Sequence, residues 1–246
     1  MKTALISDVH ANLEALEAVL QAVDQRGADR ILCLGDVVGY GGSPNECLNL
    51  IRKRCQLVLL GNHDSAASGG PEISRFNPNA KAAALWTSKV LTSQNRDYLR
   101  ALTLSQRREP YLFVHASPAA PRDWEYIFDR FDAEPQFQFF TERACFIGHT
   151  HQPAIFERTV TGCESLPPTT LRFDPLYRYI VNVGSVGQPR DHDPRACFVL
   201  LEEPAASIDF MMKPSASSAD LRFGAKPPSS PTAVPCPPSC RIFFNV

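Results

Sequence analysis

The stretch TALISDVHANLEALEAVLQAVDQRGADRILCLGD, residues 3–36, reads as a strand, a helix and a second strand. After the first apolar run, Leu13, Leu16, Val19, Leu20 and Val23 fall at helical spacing. Asn12 stands where an N-cap is needed, its amide oxygen able to accept from an orphaned backbone N–H. A second helix is expected at SPNE, residues 43–46, where Ser43 and Glu46 have capping-box spacing and Pro44 takes the first helical position. QLVLLG, 56–61, supplies a third strand-like run. Strand, helix, strand, helix, strand at this spacing predicts a parallel βαβ core and an α/β fold.

Further apolar runs follow at YLFVHA (111–116), ACFIGH (144–149), PAIFER (153–158), YIVNVG (179–184) and ACFVLLEE (196–203). Several are almost continuously hydrophobic, as strands covered on both faces must be. Turns separate them, so the second half predicts an antiparallel or mixed second sheet. Residues 79–102 lack strand character and read as one or two helices inserted between strands. From Lys213 onward the composition changes, with seven of the 21 prolines and several serines in the last 34 residues. That is a signature of disorder. The expected organisation is one domain over 1–212 and a Pro/Ser-rich tail over 213–246.

A chain of 246 residues with 44% hydrophobic and 21% charged residues can bury one full core. Its net charge of −1 argues against a nucleic-acid footprint, and no run is long enough to span a membrane. The opening MKTALISDVHANLEAL is broken by Asp8 and His10 and does not read as a signal peptide. The eight cysteines are scattered, several inside apolar runs, which fits free thiols in a reducing cytoplasm. Cys236 and Cys240 have ligand-like spacing but no second pair, and are read as incidental.

Five strand-like runs end in metal-capable residues. TALIS leads to Asp8 and His10, RILCLG to Asp36, QLVLLG to Asn62, His63 and Asp64, YLFV to His115, and CFIG to His149 and His151. Five of the six histidines fall in these clusters; only His192 does not. Ligands of open α/β sheets bind beyond the carboxyl ends of strands, so these clusters converge on one rim if the strands lie together. Carboxylate, amide oxygen and imidazole form a mixed donor set that suits Mn, Fe, Zn, Co or Ni. The lack of cysteine in the clusters argues against a structural zinc site. Two carboxylates against two divalent ions would leave a centre of about +2, attractive to phosphate and able to lower the pKa of water toward ~7.

The series DVH, GDVVGYG, GNHD, VH and GHTH resembles the calcineurin-like metallophosphoesterase superfamily, most closely its small bacterial and archaeal branch of YfcE/MJ0936-type phosphodiesterases. NVGSVGQPRDHDPRA, 182–196, is similar to that branch too, and the resemblance extends to about Met212. It implies a four-layer α-β-β-α sandwich of two mixed sheets and a centre of two divalent metal ions. It also implies that Asp8, His10 and His151 hold one ion and Asn62, His115 and His149 the other, with Asp36 bridging. His63 would be the general acid for attack by metal-activated hydroxide, and Arg190 would lie near the substrate phosphate.

The protein-phosphatase branch continues its Gly-Asp stretch as Gly-Asp-x-x-Asp-Arg-Gly, where this chain has Gly39 and Tyr40. The aspartate that would orient His63 and the arginine that would bind phosphate are therefore missing there. The expected function is hydrolysis of a small phosphorylated substrate, a monoester or a diester. A scaffold that kept the fold without catalysis, a protein phosphatase and a nuclease are the other readings. A scaffold should have lost ligands, and a nuclease needs a basic, aromatic-bearing groove.

Overall fold

The computed structural model describes residues 1–203 and 205–213. In chain order, β1 (Lys2–Ile6), α1 (Leu13–Gln25), β2 (Arg30–Cys33), α2 (Pro44–Arg54) and β3 (Leu57–Val58) form the βαβ core. Three helices follow, α3 (Asn62–Ser68), α4 (Pro78–Val90) and α5 (Ser93–Arg100), the last two occupying the expected helical insertion. Next come β4 (Ser105–Arg108), β5 (Tyr111–Val114), α6 (Arg130–Gln136), β6 (Ala144–Ile147) and β7 (Ala154–Arg158). The last described elements are β8 (Cys163–Leu166), β9 (Leu171–Arg172), β10 (Arg178–Asn182), β11 (Ala196–Glu202) and β12 (Ser207–Lys213). From residue 214 the expected tail lies outside the described residues. No helix among the described residues is long and apolar enough to cross a membrane.

The strands form two six-stranded mixed sheets, ordered β3-β2-β1-β11-β12-β9 and β4-β5-β6-β10-β7-β8. In the first, β1 and β2 pair in parallel while β11 joins β1 antiparallel. In the second, β5, β6 and β10 are parallel neighbours. Strand periodicity sorts the apolar residues into layers. Ala4 and Ile6 of β1 pack outward with Leu16, Val19 and Leu48 of the helices, while Leu5 packs inward against Phe113 and Phe146 of the other sheet. In β5 and β6, Leu112, Val114, Cys145 and Ile147 likewise face α6 and the turn that follows it, through Ala133 and Phe137. Both faces of these strands are covered, which is why their sequences read as unbroken apolar runs. The result is the α-β-β-α sandwich.

Asn12 caps α1 as expected, its Oδ1 accepting from Ala15 N at 3.1 Å. The capping box at 43–46 does not form. Ser43 makes no side-chain bond to the helix, because its backbone (φ −120°, ψ 54°) lies outside the extended conformation usual for an N-cap. The five polar clusters do not share one sheet's rim either. Three follow β1, β2 and β3 of the first sheet and two follow β5 and β6 of the second. The site lies where the two sheets' ends meet.

Candidate metal centre

The clusters lie just beyond their strands, Asn62, His63 and Asp64 at the start of α3, and three of the connecting turns are backbone-strained. Asp8, His10, Asp36, His149 and His151 all have left-handed φ, at 53°, 49°, 52°, 69° and 62°. Non-glycine residues rarely adopt that region, and it persists where the surroundings over-determine it, often at functional sites. The turns also press together closely. A Cβ on Gly61 would lie 2.1 Å from Asp36 Oδ1, so only glycine lets the start of α3 approach the Asp36 turn. Asp64 fixes this junction, accepting from Val38 N at 3.0 Å and Gly61 N at 3.2 Å.

Four of the clustered histidines are held by backbone carbonyls. Nδ1 of His10 lies 3.1 Å from Val38 O, Nδ1 of His115 2.9 Å from Leu34 O, and Nδ1 of His151 2.6 Å from Gln188 O. His149 is turned the other way, with Nε2 2.9 Å from Trp124 O. A ring nitrogen facing a carbonyl must donate, so each neutral ring presents its second nitrogen as a bare lone pair. Those nitrogens converge in two groups. Asp8, His10 and His151 offer donor atoms within 4.8 Å of one another, and so do Asp36, His115 and His149. Asp36 also links the groups, its Oδ2 lying 3.7 Å from His10 Nε2 and 3.4 Å from His115 Nε2. The other oxygen, Oδ1, accepts from His63 N at 2.9 Å.

The donor set fits divalent transition metals. Asp8 Oδ1 and Asn62 Oδ1 are buried with no hydrogen-bond partner among the described residues. Each such group costs roughly 1–3 kcal/mol unless something satisfies it. A cation bound in each group would satisfy them. Asp8 is otherwise fixed, its Oδ2 accepting from His149 N at 3.0 Å.

The protonation pattern of the metal-free chain reflects the same crowding. Burial pushes Asp8 up to about 6, with the charge of Asp36 adding to it. Burial also drives His10 and His151 well below the ordinary imidazole range and takes His149 down to about 3. His115 goes the other way. Burial lowers it, but the carboxylate of Asp36 prevails and raises it to about 9.

A pocket opens over Asp36, Asn62, His149 and His151. Its outer wall is Tyr40, His63, Tyr126 and Arg190. Arg190 donates to Gln188 Oε1 at 2.7 Å, and its positive charge partly offsets the burial that raises the phenols of Tyr40 and Tyr126. It also lies 5.9 Å from the centroid of the Tyr40 ring. The His63 ring is wedged between Tyr40 and Phe76, each centroid 4.6 Å away. Its Nδ1 is buried with no hydrogen-bond partner among the described residues, and Gly39 stands directly behind it.

A family model for the calcineurin-like phosphoesterase superfamily domain matches residues 1–204. This chain belongs to that superfamily. It is 38% identical over 212 residues, 85% of each chain, to the uncharacterized protein MJ0912 of Methanocaldococcus jannaschii. It resembles the crystal structure of a metallophosphoesterase from Sphaerobacter thermophilus with a TM-score of 0.77 and 39% identity, covering 87% of this chain and 88% of that one. The hypothetical protein PH1004 of Pyrococcus horikoshii OT3 shares the fold, with a TM-score of 0.70 at 19% identity over 89% and 90% of the two chains. These are bacterial and archaeal proteins, in keeping with the expected branch.

All nine residues to which the sequence resemblance gives a role lie in or around this site. Arg190, the most distant from the strand-end motifs, reaches the pocket wall. Sequence reasoning missed the supporting groups. Asn182 is fully buried, donating to Gly148 O at 2.6 Å and Thr150 Oγ1 at 2.9 Å and so holding the His149 turn. Its place in YIVNVG, a lone amide in an apolar run, was a usable signal. The four carbonyls that orient the histidines left none, and neither did Tyr126.

Proposed function

We propose that this chain hydrolyses phosphoric esters of small molecules with two divalent transition-metal ions. The observation that carries the reading is the pair of buried ligand groups sharing Asp36. Asp8, His10 and His151 would hold one ion, Asn62, His115 and His149 the other, and Asp36 both. When bound, such ions polarise a phosphoryl oxygen and make a water nucleophile available near neutral pH. Mn, Fe, Zn, Co and Ni all suit this mixture of carboxylate, amide and imidazole donors.

The chain's own residues supply the rest. Arg190 neutralises a phosphate oxygen that does not react, its guanidinium held at the pocket wall by its bond to Gln188 and its place over the Tyr40 ring. His63 stands beside the centre without being needed as a ligand, and serves as proton donor to the departing oxygen. Packing alone orients it, because Gly39 replaces the residue that could have held Nδ1. The absence of that carboxylate, and of an arginine at position 40, speaks against a protein phosphatase. Retention of every ligand and of His63 speaks against a scaffold without catalysis. Five of the six free cysteines among the described residues are buried, which supports a place in a reducing cytoplasm.

The test compares wild type with Asp36→Asn, using metal analysis and the hydrolysis of p-nitrophenyl phosphate and its bis ester. Wild type should hold about two ions and turn over at least one ester, and the variant should lose both ions together. A variant that keeps two tightly held ions and a near-normal rate would remove Asp36 from its shared position.

A further inference from the structure

The loop between β5 and α6 displays an aromatic pair that the fold itself does not use. Exposure alternates along Tyr126, Ile127 and Phe128, at 46%, 1% and 53%. Neighbouring residues of an extended segment point to opposite sides, so one side anchors and the other is presented. Ile127 is the anchor, packed in the layer between the second sheet and α6. On the presented side the rings of Tyr126 and Phe128 are parallel within 8°, their centroids 5.1 Å apart. Tyr126 in turn lies over the ring of His149 at 4.1 Å and 20°. The stack therefore begins at a candidate metal ligand and runs outward to the exposed ring of Phe128.

The segment is pinned from several directions. Trp124 O accepts from His149 Nε2, and Trp124 Nε1 donates to the buried Glu72 at 3.4 Å. Phe128 N donates to Asp132 Oδ2 at 2.9 Å, and Asp129 caps α6 immediately after it. Scattered exposed hydrophobics need no explanation, but a held, contiguous stack at the mouth of a polar pocket is informative. Its chemistry is that of a stacking platform, because every nucleobase has a face that an aromatic side chain can cover. Tyr126 and Arg190 line the same pocket, so the inner end of the stack lies beside the cation over the candidate metal site.

We propose that the Tyr126–Phe128 stack is the base subsite of this enzyme and that its substrates are nucleotides, with the base resting on Phe128 and the phosphoryl group under Arg190. The assignment rests on the phosphoester reading above. The test separates the two. Adenosine 5′-monophosphate and ribose 5-phosphate share the scissile bond and the sugar and differ only in the base. Metal-loaded wild type should favour the nucleotide by roughly tenfold or more in kcat/KM. Phe128→Ala should bring that ratio close to one, and Phe128→Trp should keep it. Phe131→Ala, an exposed ring of α6 outside the stack, should leave the ratio at its wild-type value.

Equal kcat/KM for the two probes in wild type would overturn the subsite while leaving phosphoester hydrolysis intact. If neither probe is turned over, calorimetric affinities decide. Tighter binding of the nucleotide, lost in Phe128→Ala, upholds the base subsite while the hydrolytic reading fails. Equal affinities sink the subsite. A wild-type dimer that dissociates on Phe128→Ala, seen by light scattering, would assign the stack to contact between copies and overturn the proposal.

Discussion

Nε2 of His10 and Nε2 of His151 stand 3.1 Å apart, and both rings turn Nδ1 toward a backbone carbonyl. Neither Nε2 then carries a proton, so two lone pairs face each other in a buried site. A cation shared by the pair turns that repulsion into coordination. Removal of metal should therefore cost stability as well as activity. Treatment with EDTA should abolish ester hydrolysis and lower Tm by several degrees, and Mn or Zn should restore both. Full turnover by protein shown to be metal-free by elemental analysis would contradict this.

Metal loading should release protons, and the pKa of His115 sets how many. Asp36 raises that imidazole to about 9 in the metal-free chain, so at pH 7.5 it is mostly charged and must lose its proton to become a ligand. Asp8, at about 6, is already ionised there. Beyond whatever metal-bound water releases, about one proton should appear per chain, read by calorimetry in buffers of different ionisation enthalpy, so His115→Asn should release about one fewer than wild type. For stability the sign is that of a raised base. The His115–Asp36 attraction contributes fully below the unfolded imidazole value of 6.5 and fades as pH rises through about 9.

His63→Asn should keep both ions and slow alkyl esters much more than p-nitrophenyl esters. Proton donation by a positioned side chain is worth typically ~10²–10⁴-fold, and a good leaving group departs without it. Metal analysis with a series of leaving groups checks this. Equal slowing across the series would indicate a ground-state contact with phosphate instead.

Grafting the protein-phosphatase aspartate onto this chain should fail. Gly39 has φ +96°, and a Cβ there would lie 2.7 Å from His63 Nδ1. Gly39→Asp should displace the imidazole rather than orient it, costing about 1–3 kcal/mol in stability and much of the alkyl-ester rate. A Gly39→Asp variant that gains activity at unchanged Tm would show that the turn can accommodate a side chain.

The sandwich was readable because its central strands are buried on both faces. Leu5 and Ile6, or Phe113 and Val114, pack into different layers, so no polar residue interrupts the run. Edge strands were not readable for the converse reason. In β4, SQRR, three of four residues are exposed, and β9 is only two residues long. The ligands were visible because polar side chains at strand ends are conspicuous. What orients them is mostly main chain. The carbonyls of Leu34, Val38, Trp124 and Gln188 act through position, which residue identity does not encode. Gly39 was noticed for the aspartate it lacks, and only the fold shows that its bareness is what admits the His63 ring.

The candidate ligands come from both sheets, so bound ions would have a mechanical role. Asp8 and His10 follow a strand of the first sheet, whereas His151 follows a strand of the second. Asp36 is divided from His115 and His149 in the same way. Between the sheets lies an apolar layer, which resists separation but does little to oppose sliding. An ion coordinated from both sides would be a removable cross-link, pinning the sheets in register at one end and leaving the opposite end to packing alone. Hydrogen exchange should then slow most at the carboxyl ends of β1, β2, β5 and β6 when metal is added.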